Sequence, residues 1–205
     1  FEEGQFERAI ERGLRAIDVM DSRPKTVHIV PAWMLRDNLL NTVARAYEKL
    51  GNNVAARGYH RQRVDLLMKA YESEEPTSSV VESLTHAFAN SFTFLDELEL
   101  ARYTKSLLEL ADSSVVAEDP LLLEKVAGAL LLAANSNLRI DAPEMVTAAI
   151  RRSIDLYSVL TREDPAEPTL QVHLATARAI LLMDGGVEDD EARELWPTVL
   201  DAFQL

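Results

Sequence analysis

NTVARAYEKLG (41–51) places Ala44, then Arg45, then six further positions that end at Gly51. The same order returns in HAFANSFTFLD (86–96), LLAANSNLRID (131–141) and LATARAILLMD (174–184). Ala44, Ala89, Ala134 and Ala177 therefore recur at steps of 45, 45 and 43 residues. So regular a period is the mark of a repeat array, in which each unit buries its apolar face only by stacking on its neighbours. A second helical pattern follows each segment, with Ala56 five residues after Gly51 and Ala101 five after Asp96. A small residue in each helix lets two antiparallel backbones approach, and Gly or Asp supplies the turn between them. In the opening FEEGQFERAI (1–10), Gly4 and Ala9 stand at the same offset. That stretch reads as the second half of a hairpin whose first helix lies upstream, in a longer chain.

Apolar residues keep helical spacing, as in Phe6, Ile10, Leu14 and Ile17, and in Leu39, Val43, Ala46, Tyr47 and Leu50. The spacing predicts about nine helices, over 5–20, 32–50, 53–74, 79–94, 97–112, 120–138, 143–161, 168–183 and 189–203. Breaker clusters separate the pairs: DSRPK (21–25), SEEPTSS (73–79), the stretch ending in AEDP (117–120) and REDPAEP (162–168). The expected organisation is one all-α repeat domain over 1–205, with a partial first repeat at 1–20 and hairpins at 32–74, 79–112, 120–161 and 168–203.

Composition agrees. The 205 residues are 47% hydrophobic and 27% charged, enough for a large core, with only 7 Gly and 8 Pro to interrupt helices. A net charge of −13 sets the chain as a whole against phosphate backbones and anionic lipid. The longest apolar run, VAGALLLAA (126–134), is about half of what a bilayer span needs. There is no cysteine, so neither disulfides nor thiolate metal sites can form, which fits a reducing, cytoplasmic compartment.

The stretch LLNTVARAYEKLGNNVAARGYHRQRVDLL (39–67) resembles a tetratricopeptide repeat, with Ala44, Tyr47, Gly51 and Ala56 at the family's spacings. It departs from the family in its period of about 45 residues rather than 34. His60 and Arg63 also stand where the family has an aromatic and a small residue. The resemblance implies a right-handed α-solenoid whose first helix in each pair lines a concave groove. The residue after each hairpin alanine then faces the groove: Arg45, Asn90, Asn135 and Arg178. Groove neighbours four residues earlier are Asn41, His86, Leu131 and Leu174. An Asn amide can donate to and accept from a peptide backbone at once, and an Arg can pair with a carboxylate. The expected binding residues are thus Asn41, Arg45, His86, Asn90, Asn135 and Arg178, and the expected partner is a peptide or protein segment.

Other features read plainly. Arg57, His60, Arg61 and Arg63 form a basic strip, expected as a solvated face with ion pairs to Asp65 or Glu48; Arg151 and Arg152 read likewise. The acid run DGGVEDDE (184–191) lacks the ligand order of a calcium loop and suits the start of a last helix. The histidines at 28, 60, 86 and 173 share no metal-ligand spacing, so each is expected at the surface or an interface. SRPK (22–25) has its helix interrupted by Pro24, and no GxGxxG, phosphate loop or GxSxG is present. No catalytic, metal or cofactor site is therefore expected. Trp33 and Trp196 are expected to pack, and Leu200, Phe203 and Leu205 to be covered by a dimer mate or by more chain.

The function these readings favour is non-enzymatic peptide binding. The sixteen Arg against five Lys suggest a GC-rich bacterial source. The general likeness is to the sensor half of bacterial regulators that join a DNA-binding helix-turn-helix to a helical repeat array. The alternative is an assembly scaffold or chaperone adaptor without a discrete ligand.

Overall fold

A computed structural model of the chain describes residues 3–22, 31–73, 76–137, 143–183 and 189–202. Among them the fold is all α. The helices are α1 Glu3–Ser22, α2 Ala32–Lys49, α3 Asn53–Ser73, α4 Ser78–Ser91, α5 Glu97–Ala111, α6 Ser114–Ala117, α7 Pro120–Asn137, α8 Pro143–Glu163, α9 Pro168–Met183 and α10 Asp189–Ala202. All nine expected helices are present within a few residues of their expected ends. The single-turn α6 is an addition, too short to show a period. Within each unit the helices pack mainly on their sequence neighbours, a pattern consistent with a helical-repeat architecture. The chain divides into two compact units, 1–94 and 95–205, a division that falls within the expected hairpin 79–112.

In the first unit α1 packs on α2, α2 on α3, and α3 on α4. The turn between α2 and α3 shows how the sequence sets the geometry. Gly51 takes φ +71°, a left-handed conformation that a Cβ would strain. Its N–H donates to Glu48 O at 2.9 Å and the Asn52 N–H donates to Tyr47 O at 2.9 Å, so the last carbonyls of α2 are satisfied in a Schellman motif. The Asn52 side chain then accepts from the Ala55 N–H at 3.1 Å and starts α3. The chain is thus reversed in a few residues. Ala44 and Ala56 are both 0% exposed, as expected of residues that let two backbones close. Gly13 does the same for α1: a Cβ there would lie 2.5 Å from Val43 Cγ2. Leu40, Val43, Val64, Leu67, Val81, Leu84 and Phe88 complete the core.

In the second unit α5 packs on α7 and α8, α7 on α8, α8 on α9, and α9 on α10. Asp96 and Glu99 form a capping box at the start of α5. Asp119 accepts from the N–H groups of Leu121 and Leu122 at 3.0 and 3.3 Å, at the start of α7. Arg152 of α8 donates to the Ala111 carbonyl at 2.9 Å and pairs with Asp112 at 2.8 Å, placing a cation where α5 ends and its dipole is negative. Arg151 reaches Glu191 with both terminal nitrogens, each bond 3.0 Å, and ties α10 to α8. Both arginines therefore make the ion pairs expected of them. Ala134 and Ala177 are buried as the repeat predicts, whereas Ala101 is only half-buried. Trp33 is half-buried, but Trp196 departs from the expected packing and is 47% exposed.

Candidate functional site

The basic strip on α3 is only partly the solvated face expected from its letters: Arg61 is exposed and Arg57 half-buried, but the other two residues turn inward. His60 and Arg63 are 0% and 1% exposed, turned into the first unit at positions where the resemblance has an aromatic and a small residue. Buried charge is tolerated only when paired. Arg63 is paired: Nε donates to Asp37 Oδ1 at 2.8 Å, Nη2 to Asp37 Oδ2 at 3.3 Å, and Nη1 to Asn41 Oδ1 at 2.8 Å. This planar fork on a carboxylate is the geometry that Arg offers and Lys does not. His60 bonds through Nε2 to Glu48, one of its two expected partners, and stacks on Phe94 with ring centroids 5.4 Å apart. The expectation that each histidine lies at a surface or interface therefore fails for His60. Burial lowers its pKa, against the opposing pull of the Glu48 carboxylate.

This network positions a polar surface. Asp37, Asn41 and Arg45 are spaced four residues apart on α2, as are Glu82, His86 and Asn90 on α4, so each trio shares a helix face. Asp37 is buried, Asn41 half-buried and Arg45 exposed. Arg45 makes no ion pair with any described residue. On α4, His86 is exposed and Asn90 half-buried, with Asn90 Nδ2 3.2 Å from His86 Nε2. Crowding around the imidazole lowers the His86 pKa, and so do the nearby Arg63 and Arg45 guanidiniums, against Asp37 and Glu82. Four of the six residues expected to bind a partner, Asn41, Arg45, His86 and Asn90, are thus in one electrostatic neighbourhood of the first unit. Asp37 and Arg63, which hold that neighbourhood together, are not among the six.

The other two residues lie in the second unit. Asn135 is exposed on α7. Arg178 on α9 is turned toward α10, with Nη1 donating to Thr198 Oγ1 at 3.3 Å. Of the expected groove neighbours, Leu131 is half-buried and Leu174 is buried.

Among the described residues no group of three or more His, Asp or Glu side chains converges to hold a metal ion, and no helix is long and apolar enough to cross a membrane. The opening of the acid run, 184–188, lies outside the described residues, as do His28, Arg23 to Lys25, Phe203 and Leu205. α10 begins at Asp189 with three acids in its first turn, on the side that the helix dipole favours. No protein-family model matches the chain, and no curated protein matches it.

Proposed function

We propose that this chain is a non-catalytic binding domain that holds an extended, acid-bearing peptide or protein segment along the α2 and α4 faces of its first unit. The observation that carries this reading is the pair of four-residue ridges, Asn41 with Arg45 and His86 with Asn90, set beside the buried Arg63. Asn41 keeps amide donors and Asn90 an amide acceptor for a peptide backbone, and Arg45, which pairs with no described residue, offers a guanidinium to a carboxylate. The net charge of −13 selects against nucleic acid, while the Arg45 guanidinium favours an acidic side chain at this face. The reading includes tetratricopeptide-like, right-handed stacking, and the Gly51 turn with the fully buried Ala44 and Ala56 supports the close hairpin that such a repeat needs. A cytoplasmic peptide-sensing role in a bacterial regulator is its finest form.

The test uses the whole chain and two fluorescent pools of short peptides, one rich in Asp and Glu and one rich in Lys and Arg. Saturable binding of the acidic pool, lost when Arg45→Ala and Asn90→Ala are combined in a protein that still melts cooperatively, supports the groove. Equal binding by that double variant, or preference for the basic pool, refutes it. The scaffold alternative draws on Trp196 and Leu200, 47% and 54% exposed on α10. It predicts no stabilisation by any short peptide, whereas a bound peptide raises the melting temperature by mass action.

A further inference from the structure

A cleft of about 440 Å³ opens within the second unit, lined by Thr161 of α8, by Gln171, Leu174, Ala175 and Arg178 of α9, and by Thr198, Asp201 and Ala202 of α10. That volume lies in the range of small-molecule sites, roughly 300–1,000 Å³. Its donors are almost all committed. Thr161 donates to Tyr157 O at 2.8 Å, Thr198 to Leu195 O at 2.8 Å, and the Gln171 amide to Pro165 O at 2.6 Å. The Arg178 guanidinium is the exception. One of its five N–H groups meets Thr198, its Nε is buried without a partner, and no carboxylate pairs with it among the described residues. Thr198 holds the fork in place, because its own proton is spent on Leu195 and its oxygen is left to accept.

A guanidinium that is partly withdrawn from water and lacks an anion is costly, and burial accordingly lowers the Arg178 pKa. A bound carboxylate would meet the free terminal N–H groups through charge-assisted bonds. Leu174, Ala175 and Ala202 add apolar surface to the lining, and Asp201 adds a negative charge. That charge disfavours a second negative group, so phosphate esters and dicarboxylates fit poorly. We infer that the cleft between α8, α9 and α10 is a binding site for a small organic monocarboxylate with a short apolar chain, seated by Arg178. This site uses no residue of the α2 and α4 faces, so either assignment can fail without the other.

The probe is isovalerate, titrated into the isotope-labelled whole chain while the side-chain Nε–H resonances of the arginines are followed. Isovalerate is expected to shift the Arg178 signal saturably. Arg178→Gln and Ala202→Leu, the second filling the cleft with the guanidinium intact, should each weaken binding by about tenfold or more. Arg193→Gln, which removes an exposed arginine paired within α10 to Asp190, should leave it unchanged. If Arg178→Gln does not fold, Ala202→Leu decides. No saturable shift, equal affinity in Ala202→Leu, or equal binding of isoamylamine overturns the site. Succinate binding as tightly as isovalerate overturns the single-charge requirement. An acetylated peptide ending in leucine, which carries the same carboxylate and branched chain, should bind more weakly than the free acid; tighter binding would reassign the cleft to a peptide end.

Discussion

The α2–α3 and α7–α8 hairpins solve the same packing problem with different chemistry. In the first, a bidentate Arg63–Asp37 pair, Asn41, and the His60–Glu48 contact occupy space between the helices that a simpler hairpin would fill with hydrocarbon. In the second, Ala127, Ala133, Ala134 and Ala149 are all 3% exposed or less, and the buried polar groups among its described residues carry no ion pair: Ser136, the Ser153 hydroxyl on Ala127 O at 2.9 Å and the Tyr157 phenol. Burial pushes that phenol up to about 12, so it stays protonated. Hydrocarbon packing is tolerant of pH and salt, whereas an ion network is specific in its geometry and fails when one partner is lost. The polar hairpin is also the one that carries the candidate binding ridges. Arg63 both packs the interior and sends positive potential to His86.

The largest effect should come from splitting the ion network. Arg63→Met leaves Asp37 buried without its partner, and unfolding in urea should show a loss of about 3–5 kcal/mol. Adding Asp37→Leu should restore much of it, because the stranded charge is then gone. A loss under about 1 kcal/mol in the single variant would mean that water reaches Asp37 freely, and the contrast between the hairpins would collapse. The corresponding break in the second hairpin is steric. Ala149→Leu forces a larger side chain between α7 and α8 and should cost about 1–3 kcal/mol by the same measurement. If it costs nothing, the helices are not held by close approach there.

The hairpins should also differ in their response to acid. His60 has a folded-state pKa below its ordinary value of about 6.5, so over the interval below that value the unfolded chain binds a proton that the folded chain refuses. Stability should therefore fall as pH drops through that window, with a limiting slope of about 1.4 kcal/mol per pH unit for one such group. His86 is shifted in the same direction, and adds to the loss. His60→Gln should flatten the slope without abolishing it, as read from urea midpoints across the pH range. An unchanged slope would place the titration elsewhere.

The pattern of legibility follows from the range of each interaction. Helix ends were readable because caps and breakers act over a few residues: Gly51 and Asn52, Asp96 with Glu99, Asp119 before Leu121. Asn41, Arg45, His86 and Asn90 were readable as faces because four-residue spacing fixes which side of a helix a residue takes. Arg63 was misread because its partner Asp37 is 26 residues away, and nothing in the letters of α3 announces that a guanidinium will be met inside. The departure from the family pattern at positions 60 and 63 was the available signal: polar residues where small and aromatic ones belong must find partners or stay out of the core. The orientation of Arg178 toward Thr198 was beyond reach for a related reason, since a long side chain chooses among neighbours only once α10 is in place.

The smallest expected effects come from two glycines and sharpen the comparison in sign rather than size. Alanine in a helix interior is favoured over glycine by about 0.5–1 kcal/mol, so either Gly→Ala change gains that much unless the new Cβ meets something. At Gly128, on α7, the nearest atom to such a Cβ is Tyr157 Oη at 3.4 Å, an ordinary contact, so Gly128→Ala should stabilise by up to about 1 kcal/mol. At Gly13 the added carbon would lie 2.5 Å from Val43 Cγ2, and Val43 is fully buried with no room to yield. Gly13→Ala should therefore destabilise despite its better helix propensity, and Val43→Ala in the same chain should reverse the sign of its effect. If Gly13→Ala stabilises as Gly128→Ala does, α1 does not approach α2 closely. The small residues of the repeat would then reflect helix composition rather than the spacing between helices.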